Sequence, residues 1–200
     1  MSVIHYQSPI ALNICDNGIL KLCQKIHLKG HNNGAIFNSD TKLFEIQDTI
    51  ILEANNVKYQ FEEYHFHMPG EHRVDGKIYA SEVHYVFLEL KDGKKKFASN
   101  HKCSDICGGT RVADANTTDN IFVIGRTIKN TQSVEQLENI QVHVPKDYFE
   151  YDGALTTGND PVRWVVGDDP IRLNLDEIKK VTKTAKPIQP LDGRIILHTS

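Results

Sequence analysis

Four of the ten histidines and two acids crowd into Tyr64-His65-Phe66-His67-Met68-Pro69-Gly70-Glu71-His72 and Ser81-Glu82-Val83-His84-Tyr85-Val86. Both segments read as β-strands. Side chains alternate along a strand, so His65 and His67 share one face, as do Glu82, His84 and Val86. Two imidazoles from one strand and a third from its neighbour make a three-nitrogen facial site. On zinc such a site leaves one tetrahedral position open, which is the arrangement of a catalytic centre and not of a closed structural one. Three neutral ligands leave the ion's charge uncompensated, so a water in the open position drops from a pKa of 15.7 to about 7. Imidazole ligands also need their second nitrogen anchored. Glu82, two residues before His84 on the same face, is placed to do that. Glu63 stands in the same relation to His65, and His72 is the remaining histidine of the window.

The spacing His65-x-His67-x3-Glu71 also fits the metal core of cupin barrels. That motif needs glycine six positions before its first histidine and seven after its glutamate, where this chain has Tyr59 and Ile78. The cupin reading fails at both ends.

The elements that would carry these residues are mostly strands. Runs rich in β-formers occur at Thr49–Ala54, Lys58–His67, Ile78–Leu90, Asn120–Ile128, Gln141–Pro145, Val162–Val166, Ile171–Leu173 and Arg194–His198. Turn signals divide them: Asn32-Asn33-Gly34, Asp75-Gly76, Asp92-Gly93, Asp152-Gly153 and Asp192-Gly193. Helical patterns are confined to Ser133–Asn139, with Ser133 as a cap, and Asp176–Thr184, with Glu177 in its first turn. The expected fold is mainly β (α+β): a single domain over residues 1–200, with a central, mostly antiparallel twisted sheet and a few short peripheral helices. Residues 91–119 are polar, lysine-rich and without periodicity, and they read as a long surface loop.

Composition narrows the function further. Two hundred residues with 40% hydrophobic content and a net charge of −3 suit a globular domain with a substantial core. The mild acidity argues against a polyanion binder, so no nucleic acid is expected. The five lysines between Lys91 and Lys102 read as a solvated loop. No apolar run approaches membrane-spanning length and no secretory leader precedes Gln7, so a cytoplasmic protein without membrane association is expected if Met1 is the native start. Cys15, Cys23, Cys103 and Cys107 are too few and too scattered for a disulfide framework.

Beyond the histidine window, five motifs in order resemble the α-class carbonic anhydrases. Gln7-Ser8-Pro9-Ile10 resembles the family's early QSPI element. Tyr64-His65-Phe66-His67 with Pro69-Gly70-Glu71-His72 is similar to its FHFH…SEH segment, and Ser81–Val86 to its E-L-H-L-V strand. Ala154-Leu155-Thr156-Thr157 followed by Trp164 resembles S-L-T-T…W, and Pro187–Arg194 resembles the C-terminal RPxQPLNGR. The resemblance implies one Zn²⁺ per chain on His65, His67 and His84, with Glu82 holding His84. It implies that Thr156 accepts a hydrogen bond from the zinc-held hydroxide and donates one to Glu71. Val86, Val123, Leu155, Val162 and Trp164 would form the apolar CO₂ pocket, with Thr157 beside departing bicarbonate. The implied activity is reversible CO₂ hydration, inhibited by sulfonamides and small anions, in a monomer or a dimer. Its rivals are a carbonic-anhydrase-related binding module without turnover and a zinc hydrolase of small esters.

One departure concerns proton removal. Where the family has N-G-H-A-F-N, with a proton-shuttle histidine, this chain reads Asn33-Gly34-Ala35-Ile36-Phe37-Asn38, which puts Ala35 at the shuttle position. Unassisted release from a water of pKa about 7 is limited to on the order of 10³ s⁻¹. The fastest family turnover is about 10⁶ s⁻¹. A slower enzyme is expected unless His31 or His101 substitutes.

Overall fold

The computed structural model describes residues 6–13, 19–21, 25–95, 121–133, 135–158 and 160–199. His101, the four cysteines and most of the 91–119 segment lie outside the described residues. In chain order the strands begin with β1 (Ala11–Leu12), β2 (Ile19–Lys21), β3 (Ile26–Lys29), β4 (Ile36–Asn38), β5 (Leu43–Glu45) and β6 (Ile51–Ala54). The middle of the chain forms β7 (Val57–Met68), β8 (Arg73–Val74), β9 (Lys77–Ile78), β10 (Ser81–Lys91), β11 (Lys94–Lys95) and β12 (Ile121–Asn130). Then come β13 (Tyr148–Ala154), β14 (Pro161–Gly167), β15 (Ile171–Leu173), helix α1 (Leu175–Val181), β16 (Lys183–Thr184) and β17 (Ile196–Thr199).

One large sheet runs β2-β17-β13-β14-β12-β10-β7-β5-β4, and β1, β8 and β9 form a small second sheet. Antiparallel pairings dominate, as expected from the many short hairpin-linked runs. Parallel contacts occur at β12–β14, β12–β15, β7–β16, β2–β17 and β1–β8. Hairpin turns carry the predicted chemistry: Asp75-Gly76 and Asp92-Gly93 both have positive φ, which matches the right-handed strand twist.

The long central strands β7 and β10 are buried on both faces over residues 63–67 and 81–88. A β-bulge lies between Val86 and Phe87: Val86 pairs with Glu63 but Phe87 with Phe61, so Glu62 is the extra residue. This shift lets Phe61 and Tyr64, three positions apart, face the same side. That side holds an aromatic core of Phe44, Phe61, Tyr64, Phe66, Tyr85, Phe87 and Phe122. The opposite face holds a second core with Val86, Val123, Tyr151, Leu155, Val162 and Trp164. Each large aromatic side chain removed from water contributes a few kcal/mol, roughly 1.5–3 for a phenylalanine. The histidines share the face of this second core, with the aromatic core across the sheet from them.

Several local expectations change. Asp152-Gly153 is not a turn but lies inside β13, because a Cβ on Gly153 would come within 2.3 Å of Ser8 Oγ. The stretch 141–145 forms no strand; the Gln141 amide instead ties Asn32 O and Asn139 O. The helix expected over Ser133–Asn139 reduces to a 3₁₀ turn at Leu137–Asn139, and Ser133 donates its own N–H to Thr131 Oγ1 instead of capping it. Helix α1 starts one residue earlier than expected, capped by Asn174, whose side chain accepts from Asp176 and Glu177 N–H. It ends at Val181, and the next residues extend along β7, pairing Lys183 with His67.

Candidate metal centre

His65 and His84 are direct cross-strand partners, and Glu82 faces His67 across the same pair of strands. The three imidazole centroids lie 4.7–5.4 Å apart. One nitrogen from each of His65, His67 and His84 falls within 4.8 Å of the other two. Gly125 is the residue opposite His84 on β12. A Cβ there would sit 3.0 Å from Glu82 Oε1 and 3.7 Å from the His84 ring, so glycine leaves room for both.

The second nitrogen of each ring is held, twice by a carboxylate and once by a backbone carbonyl. His65 Nδ1 contacts the Glu63 carboxylate at 3.0 Å, and His67 Nδ1 contacts Thr184 O at 3.3 Å. His84 Nε2 meets Glu82 Oε1 at 3.0 Å. The free nitrogens are therefore Nε2 of His65 and His67 but Nδ1 of His84. Both Nε2 atoms are buried without a hydrogen-bond partner among the described residues. Two orphaned buried nitrogens are costly unless something else satisfies them, and a metal ion does. Burial holds the His65 and His67 rings well below the usual imidazole range, keeping them neutral and able to ligate. Burial also works against a charged His84, but the Glu82 hydrogen bond and charge, with Glu71 and Glu63 nearby, raise its pKa overall. This donor set fits Zn²⁺.

Glu82 is the hub behind the three histidines. Burial opposes its charge, yet His72 and His84 beside it hold the carboxyl well below its ordinary value. Its Oε2 accepts from the Glu71 and His72 backbone N–H groups, each at 2.8 Å, and its Oε1 meets His72 Nδ1 at 2.6 Å. His72 Nε2 continues to Tyr151 Oη at 2.6 Å, and Tyr151 donates to Ser8 Oγ at 3.2 Å. His72, Glu82 and His84 also bring ligand atoms together, but those atoms already face one another in hydrogen bonds. Sequence reasoning missed Tyr151 altogether; Ser8 lay inside a quoted motif, but nothing marked its role. Burial pushes the Glu63 carboxyl up to about 8, against the pull of Lys183 and His84.

Glu71 lies against the triad. Its Oε1 accepts the Lys186 N–H at 2.6 Å and stands 3.2 Å from His67 Nδ1, while Oε2 is 3.9 Å from His84 Nδ1. Burial raises its pKa, and His84, the Thr156 hydroxyl and the Lys186 N–H pull it back down. Oε2 makes no hydrogen bond of ordinary length among the described residues. The Thr156–Glu71 pair is thus brought together, without the short bond the resemblance implies. Val86, Val123, Leu155, Val162 and Trp164 all join the buried cluster on this face. Trp164 packs edge-on against His84 at 4.8 Å and donates to Ala154 O. Thr157 is half-buried.

Ala35 and Ile36 face opposite sides of the sheet. Ala35 is buried in the aromatic core on the far face, and its N–H donates to Glu138 O. The register Ile36–Glu45–Glu63 puts Ile36, 56% exposed, on the face that carries His65. His31 is exposed, feels Asp48, and has no hydrogen bond, ion pair or ring contact with the triad.

The profile of the family described as eukaryotic-type carbonic anhydrase matches residues 4–198. A carbonic anhydrase of Pectobacterium carotovorum is 27% identical over 160 residues, 76% of this chain and 62% of its own length. The chain therefore spans less than two thirds of that relative. A carbonic anhydrase of Nostoc is 26% identical, covering 96% of this chain and 75% of its own. Among solved structures, the α-carbonic anhydrase of Thermovibrio ammonificans in complex with the inhibitor sulfanilamide superposes with a TM-score of 0.66. It is 22% identical and covers 96% of this chain and 87% of its own.

Proposed function

Because this chain belongs to the eukaryotic-type carbonic anhydrase family, we propose that it is a zinc enzyme that interconverts CO₂ and bicarbonate, with one ion per chain. The observation that carries this reading is the convergence of three imidazole nitrogens, two of them buried without a protein partner. When bound there, zinc supplies a nucleophile at neutral pH by acidifying water to a pKa of about 7.

The remaining chemistry belongs to the chain. His65, His67 and His84 hold the ion and are fixed in tautomer by Glu63, Thr184 O and Glu82. Thr156 serves as the orienting residue. With its proton directed to the Glu71 carboxylate, its oxygen is left as an acceptor. A group that carries a proton is then held well beside the imidazoles, with a lone pair aimed at substrate. Val86, Val123, Leu155, Val162 and Trp164 offer CO₂ a dry wall, which suits a small apolar molecule and excludes competing water. Thr157 borders the exit. Ile36 on the cavity face and a buried Ala35 leave no titratable group at the family's shuttle position, so turnover is limited by proton release to solvent or buffer.

Hydrolysis of small esters is a side activity of the same nucleophile. A binding module without turnover would have no use for an intact ligand set with Thr156 and Glu71 behind it. The deciding experiment counts zinc in the purified protein and follows CO₂ hydration by stopped flow, with and without a sulfonamide. Expected are one zinc per chain and sulfonamide-sensitive hydration. A zinc-free protein, or a zinc-loaded one with no hydration above background, overturns the proposal.

A further inference from the structure

Arg126 and Tyr85 point away from the histidines, into the opposite face of the same sheet. They adjoin site residues in sequence: Tyr85 follows His84 and Arg126 follows Gly125, and alternation sends each to the far side. Tyr85 is 1% exposed and Arg126 6%. A guanidinium in an otherwise aromatic and aliphatic layer is expensive unless its donors are used. Among the described residues only Nη2 finds partners: it donates to the Asp169 carboxylate at 2.9 Å and to Asp169 O at 3.2 Å. Nε, packed against Gly167, has no partner, and Nη1 makes no hydrogen bond among the described residues. The Tyr85 hydroxyl has no hydrogen-bond partner among them either, and burial pushes its pKa up, so it remains a donor at any ordinary pH.

Both residues line a cavity of about 200 Å³. Its walls include Ile171 and Leu173 of β15, with Arg172 and His143 on the exposed rim. Glu135 is the one acid that lines it. Asp169 engages Arg126 from outside the lining. With Asp169 counted, two arginines face two carboxylates, so the cavity has no net charge to spare for a phosphate dianion. The volume is below the usual 300–1,000 Å³ of sites for larger ligands, so the occupant is small. With Nη2 held by Asp169 and Nε packed against Gly167, the donors left for the two oxygens of a carboxylate are Arg126 Nη1, the Tyr85 hydroxyl and Arg172 at the rim.

We propose that this far-face cavity, with Arg126 and Tyr85 as buried donors and Arg172 at the rim, binds a small monovalent carboxylate-type anion. Bicarbonate and short organic carboxylates share that chemistry. The site is separate from the metal centre and does not depend on the activity assigned there.

The test is amide NMR on the zinc-loaded, ¹⁵N-labelled protein, titrated separately with sodium acetate and sodium bicarbonate against sodium chloride. Saturable shifts are expected at far-face amides such as Arg126, Ile140 and Leu173. Affinity should fall about tenfold in Tyr85→Phe and in Arg172→Gln, the loss expected for one hydrogen bond to a charged group. Both variants spare the buried guanidinium, and wild-type-like spectra elsewhere report that they fold. Saturation by acetate alone or bicarbonate alone supports the site and names its ligand. Shifts that track chloride equally, shifts confined to the histidine face, or unchanged affinity in both variants would overturn it.

Discussion

Glu82 Oε1 lies 3.0 Å from His84 Nε2, two residues away on the same strand face. That contact turns His84 so that it offers Nδ1, whereas His65 and His67 offer Nε2. The mixed set follows from local geometry. A partner at i−2 on the same strand reaches different ring atoms depending on whether the ring leans toward it or away.

Replacing Glu82 by Gln keeps the shape but removes the charge shared by His72 and His84. Zinc affinity, measured by competition with a chelator, should fall 10- to 100-fold. Unchanged affinity would mean the hydrogen bond does not orient the ligand.

Thr156→Ala should lower kcat/KM for CO₂ hydration by about 10²-fold, the scale of a lost orienting contact. Zinc content should stay at wild-type level, and Thr156→Ser should retain most of the activity. Loss of zinc in the alanine variant would make Thr156 a structural residue instead.

Proton release offers a sharper test, because the two neighbouring positions face opposite ways. Turnover of the parent protein should depend steeply on buffer and rise with added imidazole. Ile36→His, on the exposed cavity face, should raise buffer-independent turnover toward the shuttle-assisted range. Ala35→His should unfold or destabilise the chain, since that position is buried in the aromatic core cluster. Parent turnover near 10⁶ s⁻¹ in dilute buffer would end the idea.

Gly153→Ala should destabilise the protein by about 1–3 kcal/mol in denaturant melts. The new methyl would press on Ser8 Oγ at 2.3 Å and the Tyr151 ring at 2.9 Å. Those are the far members of the chain that begins at Glu82, so zinc affinity should drop as well. Wild-type stability would mean β13 shifts freely.

Asp48 supplies a pH dependence. The Asn33 N–H at 2.8 Å and the Asn33 side-chain amide hold its carboxyl below the usual value. A depressed native pKa binds fewer protons than the unfolded chain, so the contribution is full above about 3.8 and fades as pH falls through the native value. Thermal melts should show the parent more stable than Asp48→Ala near pH 6, with the gap closing below pH 4. A gap that persists in acid would contradict the ion–dipole origin.

Much of the site was legible because its logic is local. Alternation along two strands put His65, His67, Glu82 and His84 on one face without any knowledge of the fold, and Asp-Gly pairs marked two hairpins correctly. Where chemistry depends on distant neighbours, local signals misled. Asp152-Gly153 reads as a turn, yet the glycine is there for Ser8, about 145 residues away in the chain. Tyr151 carries no mark of its role until His72, 79 residues off, is brought to it.

The sequence by itself determined the histidine triad, the strand-rich architecture and the family resemblance, since each rests on residue type and short-range period. Only the tertiary structure decided which ring nitrogen each histidine presents, that Glu71 stands 3.2 Å from His67, and that Ile36 rather than Ala35 lies on the face that carries His65. It also decided that Arg126 is buried with donors unused. Those outcomes depend on strand register and on the bulge at Glu62, where one extra residue changes which faces meet.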